Sequence, residues 1–227
     1  MEWTSYDVGP GVIVRSAAVG FAEANCYVVA CERTREGAVI DPGTMDTEET
    51  SAIAMEVERL GVIVRYIINT HGHADHMSGN DLLKVAVGGE VLVHELDAFK
   101  LTDPVRNASR MFGLDVRVKP ADRLIEDGET IAVGKVGLRV VHTPGHSAGG
   151  ITLVGDGFAF TGDTLLAGSI GRTDLPCSSE EDTIAYDVLL DSIRSKILTL
   201  PDDTVVLAGH GPPTTVGEER RSNPFLK

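Results

Sequence analysis

Residues 70–79 read THGHADHMSG and set His71, His73, Asp75 and His76 within six positions. The chain of 227 residues carries seven histidines in all, so three of them crowd into one short run. Imidazole and carboxylate bind transition metals through lone pairs free of a proton. His71 and His73 are two apart, so an extended or turning backbone aims both at one ion. Asp75 and His76 are adjacent and point apart, which suits a second ion or a supporting hydrogen bond. No two of the three histidines are four apart, and Gly72 weakens a helix. A loop feeding two neighbouring sites is the expected geometry.

Three later segments each add a donor directly after a strand-like run. His146 lies in HTPGHSAGG (142–150), Asp163 in FTGDTLL (160–166) and His210 in VVLAGHGPP (205–213). Proline and glycine shape a turn around each, and the glycines beside His210 permit close backbone approach. A histidine-rich polar loop by chance does not account for four such segments.

Short β-branched runs bounded by turn residues predict strands at 11–15, 26–31, 38–41, 66–69, 91–94, 131–133, 138–142, 151–154, 158–161 and 204–207. Helices are predicted over 47–60, from about Ser78 to Gly88, and over 180–198, where Ser178 and Glu181 are spaced as a capping box. The 180–198 helix carries Ile184, Val188, Ile193 and Ile197 on one stripe. Hairpin-like strand succession mixed with βα units points to two sheets flanked by helices. With no repeat, linker or low-complexity tract, residues 1–227 read as one domain.

Thirty-four acids against 20 bases give a net charge of −14. Phosphate-neutralising proteins need clustered Lys and Arg, so nucleic acid is disfavoured as the main partner. The N-terminal MEWTSYDVGP lacks the basic start and apolar core of a signal peptide. No apolar run reaches the roughly 20 residues of a membrane helix. Cys26, Cys31 and Cys177 are an odd number without paired spacing, so no disulfide framework is expected. A cytoplasmic protein without a membrane anchor follows; nothing in the sequence speaks to oligomeric state.

The set THGHADH, HTPGHSAGG, TGDTLL and LAGHG, preceded by VIDPG at 39–43, resembles the metallo-β-lactamase fold superfamily in order and across nearly the whole chain. The resemblance implies an α/β fold, a four-layer αββα sandwich with a dinuclear site at one edge. It implies His71, His73 and His146 at one metal ion, Asp75, His76 and His210 at the other, and Asp163 bridging them. Two divalent ions are implied, zinc foremost, with iron or manganese also suited to imidazole and carboxylate. Asp75 and Asp163 would be the catalytic carboxylates, orienting a metal-bound hydroxide, and Asp41 would support the metal loops without binding.

GDTLLAGSIGRTDLP (162–176) and GHGPPTTVGEERRSNPFL (209–226) resemble the glyoxalase II-like thioesterases. That group implies hydrolysis of small-molecule thioesters such as S-lactoylglutathione. Arg172 is then a candidate for binding a substrate carboxylate, with an ion pair to Asp174 as the structural alternative. On this resemblance residues 1–227 are expected to be a single metallo-β-lactamase-like domain without the C-terminal helical extension of full-length glyoxalase II. The alternative within the superfamily is a mononuclear-iron persulfide dioxygenase using His71, His146 and Asp163. Those enzymes carry a cysteine and a glycine before GRTD, where this chain has Ser169-Ile170-Gly171, which favours the hydrolase. Hydrolysis of another ester or a lactone ranks lower, and a β-lactamase lower still. His94 reads as a helix-start or core-edge residue, His142 as a packing or hydrogen-bonding one, and Cys177 as incidental.

Overall fold

The computed structural model describes residues 1–175 and 186–227. Period-2 alternation in the β-branched runs builds two sheets. The first holds seven strands in sequence order: β1 (Thr4–Tyr6), β2 (Val12–Val19), β3 (Ala24–Cys31), β4 (Glu36–Ile40), β5 (Ile63–Ile68), β6 (Glu90–His94) and β7 (Arg123–Ile125). Its β1–β4 half is antiparallel and its β4–β7 half parallel. The second sheet comprises β8 (Thr130–Val133), β9 (Val136–His142), β10 (Ile151–Val154), β11 (Phe158–Gly162), β14 (Val205–Ala208) and β15 (Thr214–Thr215). Within it β11 and β14 run parallel and their neighbours antiparallel. A small hairpin, β12 (Leu165–Leu166) with β13 (Ser169–Ile170), follows β11.

Strand β3 shows why the layers stack. Tyr27 and Val29 face the second sheet and join Phe158, Phe160 and Leu207 in the central core. The alternate residues Cys26, Val28 and Ala30 face the opposite way, into a core with Ile53 and Leu83. Those come from α1 (Thr47–Arg59) and α3 (Asn80–Val87). A third apolar cluster covers the second sheet, using α4 (Tyr186–Ser192), the wider turns at Ile193–Ile197, and Val216 of α5 (Val216–Ser222). The result is the expected αββα sandwich of two mixed sheets between helices.

Asp46 caps α1 by accepting from the Glu49 N–H at 2.9 Å, and Ile53 and Val57 are buried. The helix expected from Ser78 is displaced. One separate turn, α2 (Ala74–Met77), lies within the histidine run itself, and α3 starts only at Asn80. The run is therefore not wholly a loop: the backbone is still extended at His73, and the chain coils from Ala74. Of the 180–198 helix, residues 180–185, with Ile184, and the Ser178–Glu181 capping box fall outside the described residues, as does Cys177. Val188 is exposed, against expectation, and Leu189 takes its place beside Ile193 and Ile197, because Val188 is five residues before Ile193, about 140° round an α-helix, whereas Leu189 is four before it and shares its face. Cys26 and Cys31 are buried free thiols. Among the described residues no helix is long and apolar enough to cross a membrane.

Candidate metal centre

Strands β4, β5, β9, β11 and β14 all end at one edge of the sandwich, and the loops leaving them carry the polar cluster. In open sheets the carboxyl ends of strands are where sites assemble. His71 and His73 follow β5, His146 follows β9, Asp163 follows β11 directly and His210 follows β14. Asp75 and His76 ride on the α2 turn. Every candidate ligand from the sequence arrives at this edge.

They form two adjoining groups, linked by a third set, His71, His76 and Asp163, whose donor atoms also lie within 4.8 Å of one another. His73 Nδ1 is 2.9 Å from His146 Nε2, which is 3.2 Å from His71 Nε2. Beside them His76 Nε2 is 3.3 Å from His210 Nε2, and Asp75 Oδ2 is 3.3 Å from that same His210 nitrogen. Asp163 lies between: its Oδ2 is 3.6 Å from His146 Nε2 and 3.5 Å from His210 Nε2, and its Oδ1 is 3.5 Å from His76 Nε2.

The donor set fits cations. Three ring nitrogens cannot all direct protons at one point, whereas a tetrahedral ion with bonds of about 2.0–2.1 Å spaces its ligand atoms about 3.3 Å apart. Asp163 Oδ1 is buried without a hydrogen-bond partner, a costly state that an ion relieves.

The far nitrogens of the rings are tied down. His146 Nδ1 donates to the Arg172 carbonyl at 2.8 Å, leaving Nε2 as the lone-pair face. His76 Nδ1 meets Asp41 Oδ2 at 3.0 Å. Asp41 also accepts from the Thr70 N–H at 2.7 Å and the Thr70 hydroxyl at 2.6 Å. Its backbone sits at φ +52°, in the left-handed region, where the turn after β4 aims the carboxylate under the cluster. Asp41 thus takes the supporting place expected for it. Glycines let the loops close: a side chain at Gly43 would strike the Asp75 carbonyl, and one at Gly209 would strike Asp163 Oδ1.

The two halves differ electrostatically. Burial, then the neighbouring imidazoles, holds His71 well below its ordinary range. Burial, followed by His146 and Lys100, brings His73 down to about 3. In the other half, burial opposes the charges on Asp75 and His76, but their mutual attraction prevails: Asp75 falls to about 2 and His76 rises. Asp163 is likewise lowered, against burial, by His76, His146 and His210. One half is three neutral imidazoles. The other carries the carboxylates.

Beside the cluster opens a cleft of about 350 Å³, floored by His73, Asp75, His146, Asp163 and His210. Its walls include Phe21 and Phe112, whose rings stand 5.2 Å apart, with Ile170 and Leu175. Arg172 is at this cleft too, and its guanidinium pairs with Asp174, Nε to Oδ1 at 2.9 Å. His94 and His142 stack at 4.4 Å; His94 Nδ1 accepts from the Leu96 N–H at the start of a short 3-10 helix, and His142 Nε2 bonds the Ala148 carbonyl. Sequence reasoning missed Phe21 and Phe112, which carry no local pattern, and Asp97 and Lys100 of that 3-10 helix, whose i, i+3 charges look like any solvated helix face.

Comparison with known proteins agrees with the fold. A family model described as the metallo-beta-lactamase superfamily matches residues 19–210. The hydroxyacylglutathione hydrolase GloC of Haemophilus influenzae is 36% identical over 207 residues, 89% of this chain and 92% of that protein. The crystal structure of the BLEG-1 B3 metallo-beta-lactamase superposes with a TM-score of 0.85 at 35% identity, covering 94% of this chain and 99% of that one. TTHA1623 in a di-iron-bound form gives a TM-score of 0.77 at 34% identity, covering 93% and 99%.

Proposed function

This chain belongs to the metallo-beta-lactamase superfamily, and we propose that it is a dinuclear metallo-hydrolase acting on thioesters of small thiols. The observation that carries the reading is the complete pair of ligand triads, His71–His73–His146 and Asp75–His76–His210, with Asp163 within reach of both. Similarity to the hydroxyacylglutathione hydrolase GloC supports the thioester class. The di-iron form of TTHA1623 supports two divalent ions and iron among the candidates; zinc suits the same donors.

When bound, such ions supply Lewis acidity to a carbonyl oxygen and lower the pKa of water. The chain's own groups do the rest. His71, His73 and His146 present neutral nitrogens, so the first triad adds no negative charge of its own. Asp75 and Asp163 stay ionised at neutral pH, and their cleft-facing oxygens accept hydrogen bonds from the attacking water and orient it. His146 is held in one tautomer by the Arg172 carbonyl. A thiol of pKa about 8.5 leaves as thiolate without a strong acid, which suits a cleft whose floor is histidine and aspartate. Arg172, at the rim, is positioned to exchange Asp174 for a substrate carboxylate.

The persulfide dioxygenase reading uses His71, His146 and Asp163, which also converge here. Those enzymes share the HxHxDH run, so Asp75 and His76 do not separate the two readings; Ser169-Ile170-Gly171, in place of their cysteine and glycine before GRTD, favours the hydrolase. The test is turnover of S-D-lactoylglutathione by metal-replete protein, with Asp163→Ala as control. Turnover lost in the control is the expected result. No turnover with both metals bound overturns the thioester reading, and oxygen uptake with glutathione persulfide then identifies the dioxygenase.

A further inference from the structure

Next to the first triad lies a buried charge pair that the proposed chemistry does not use. Asp97 and Lys100 stand three residues apart on the 3-10 helix Glu95–Thr102, and both side chains are 0% exposed. Lys100 Nζ is 3.1 Å from Asp97 Oδ1 and donates to Ser147 Oγ at 2.6 Å. Asp97 Oδ2 accepts from the Gly72 N–H at 2.7 Å and from the Ser147 hydroxyl, while Oδ1 accepts from the Gly149 N–H at 2.8 Å. Gly72 separates His71 from His73, and Ser147 follows His146. One carboxylate therefore grips both loops that deliver the first triad.

The fit leaves no slack. A Cβ at Gly72 would lie 2.8 Å from Lys100 Cβ, and one at Gly149 would lie 2.6 Å from the Asp97 nitrogen. The two ligand loops rest directly on this one helix. A buried ion pair contributes little net stability over an apolar pair of the same volume. A neutral residue at 97 could not accept from two backbone N–H groups and a hydroxyl at once. Lys100 supplies the charge that lets an ionised aspartate stay there: burial works against its charge, and Lys100, Ser147 and the Gly72 N–H together hold it below the ordinary carboxylate range.

We propose that Asp97, balanced by Lys100, is a positioning residue that sets the spacing of the His71–His73 loop against the His146 loop and so the metal affinity of the first triad alone. The second triad takes its ligands from α2 and the loop after β14, neither of which the pair touches in any bond described above. This inference rests on the dinuclear reading of the centre.

The test is stepwise Zn²⁺ binding to the apo protein, followed by competition with a chromophoric chelator. Wild type binds in two steps; His73→Ala and His210→Ala each remove one, which assigns the steps. Lys100→Met and Ser147→Ala are then titrated. The expected result is a loss of about 10–100-fold in affinity at the first-triad step, with the second step moving less than about 3-fold. Ser147→Ala leaves no buried charge unpaired, so it carries the test if Lys100→Met fails to fold. An unchanged first step, or equal weakening of both, overturns the proposal. Wild type that binds fewer than two ions overturns the dinuclear reading instead.

Discussion

Asp41 Oδ2 lies 3.0 Å from His76 Nδ1 and 2.6 Å from the Thr70 hydroxyl, so a residue 35 positions away holds the metal-loop histidine and the base of its loop together. Such outer contacts fix a ligand's tautomer and orientation as firmly as the ligand's own backbone does. Replacing Asp41 by Asn keeps a residue that tolerates φ > 0 while removing one acceptor. Metal affinity at the second triad is expected to drop about 10–100-fold with helix and sheet content unchanged. Metal titration beside circular dichroism checks it; undiminished affinity would show that Asp41 serves only the turn.

His73→Ala is expected to abolish one of two bound metals and hydrolysis together. The fold is expected to survive, since the substitution removes no residue of the three apolar clusters. Metal analysis of the purified variant decides; a full complement of metal would remove His73 from the ligand set.

Gly209→Ala places a methyl against Asp163 Oδ1 and 2.8 Å from His76 Cε1. Displacing a reacting group by an ångström costs about 100-fold in rate. That loss in kcat is expected for thioester hydrolysis, and retained kcat would place Asp163 away from the reaction.

Arg172→Ala breaks only the exposed pair with Asp174, so Tm is expected to stay within experimental error. KM for S-D-lactoylglutathione is expected to rise several-fold, with KM for a thioester of an uncharged thiol unmoved. Equal effects on the two substrates would assign Arg172 to the loop rather than to a carboxylate.

Glu56, buried beneath Arg59 and Arg15, is held below its ordinary range by the Arg59 hydrogen bonds, against burial, with the charge of Arg15 adding. A folded pKa lower than the unfolded one means that its stabilisation is full above the unfolded value of about 4.3 and fades as pH falls towards the folded value. Glu56→Gln is expected to be less stable than wild type at neutral pH, the gap closing below about pH 4.3. Denaturant titrations at both pH values measure it; a constant gap would mean that Glu56 stabilises through packing alone.

The candidate donor cluster was legible in the sequence because its members sit in turns that follow strands, and the period-2 runs mark the strand ends. All ten predicted strands form, with ends shifted by a few residues. The short strands β1, β7, β12, β13 and β15 escaped, since two or three residues carry no periodicity. The residues alone left the grouping of the donors open and only the resemblance supplied one; the tertiary structure brings His146 to His71 across 75 positions of chain because β5 and β9 end at the same edge. It also decided the burial of Asp97 and Lys100. Their spacing marks an ordinary exposed helix face, and only the packing of Gly72 and Gly149 onto that helix takes the pair out of water and gives it two loops to hold.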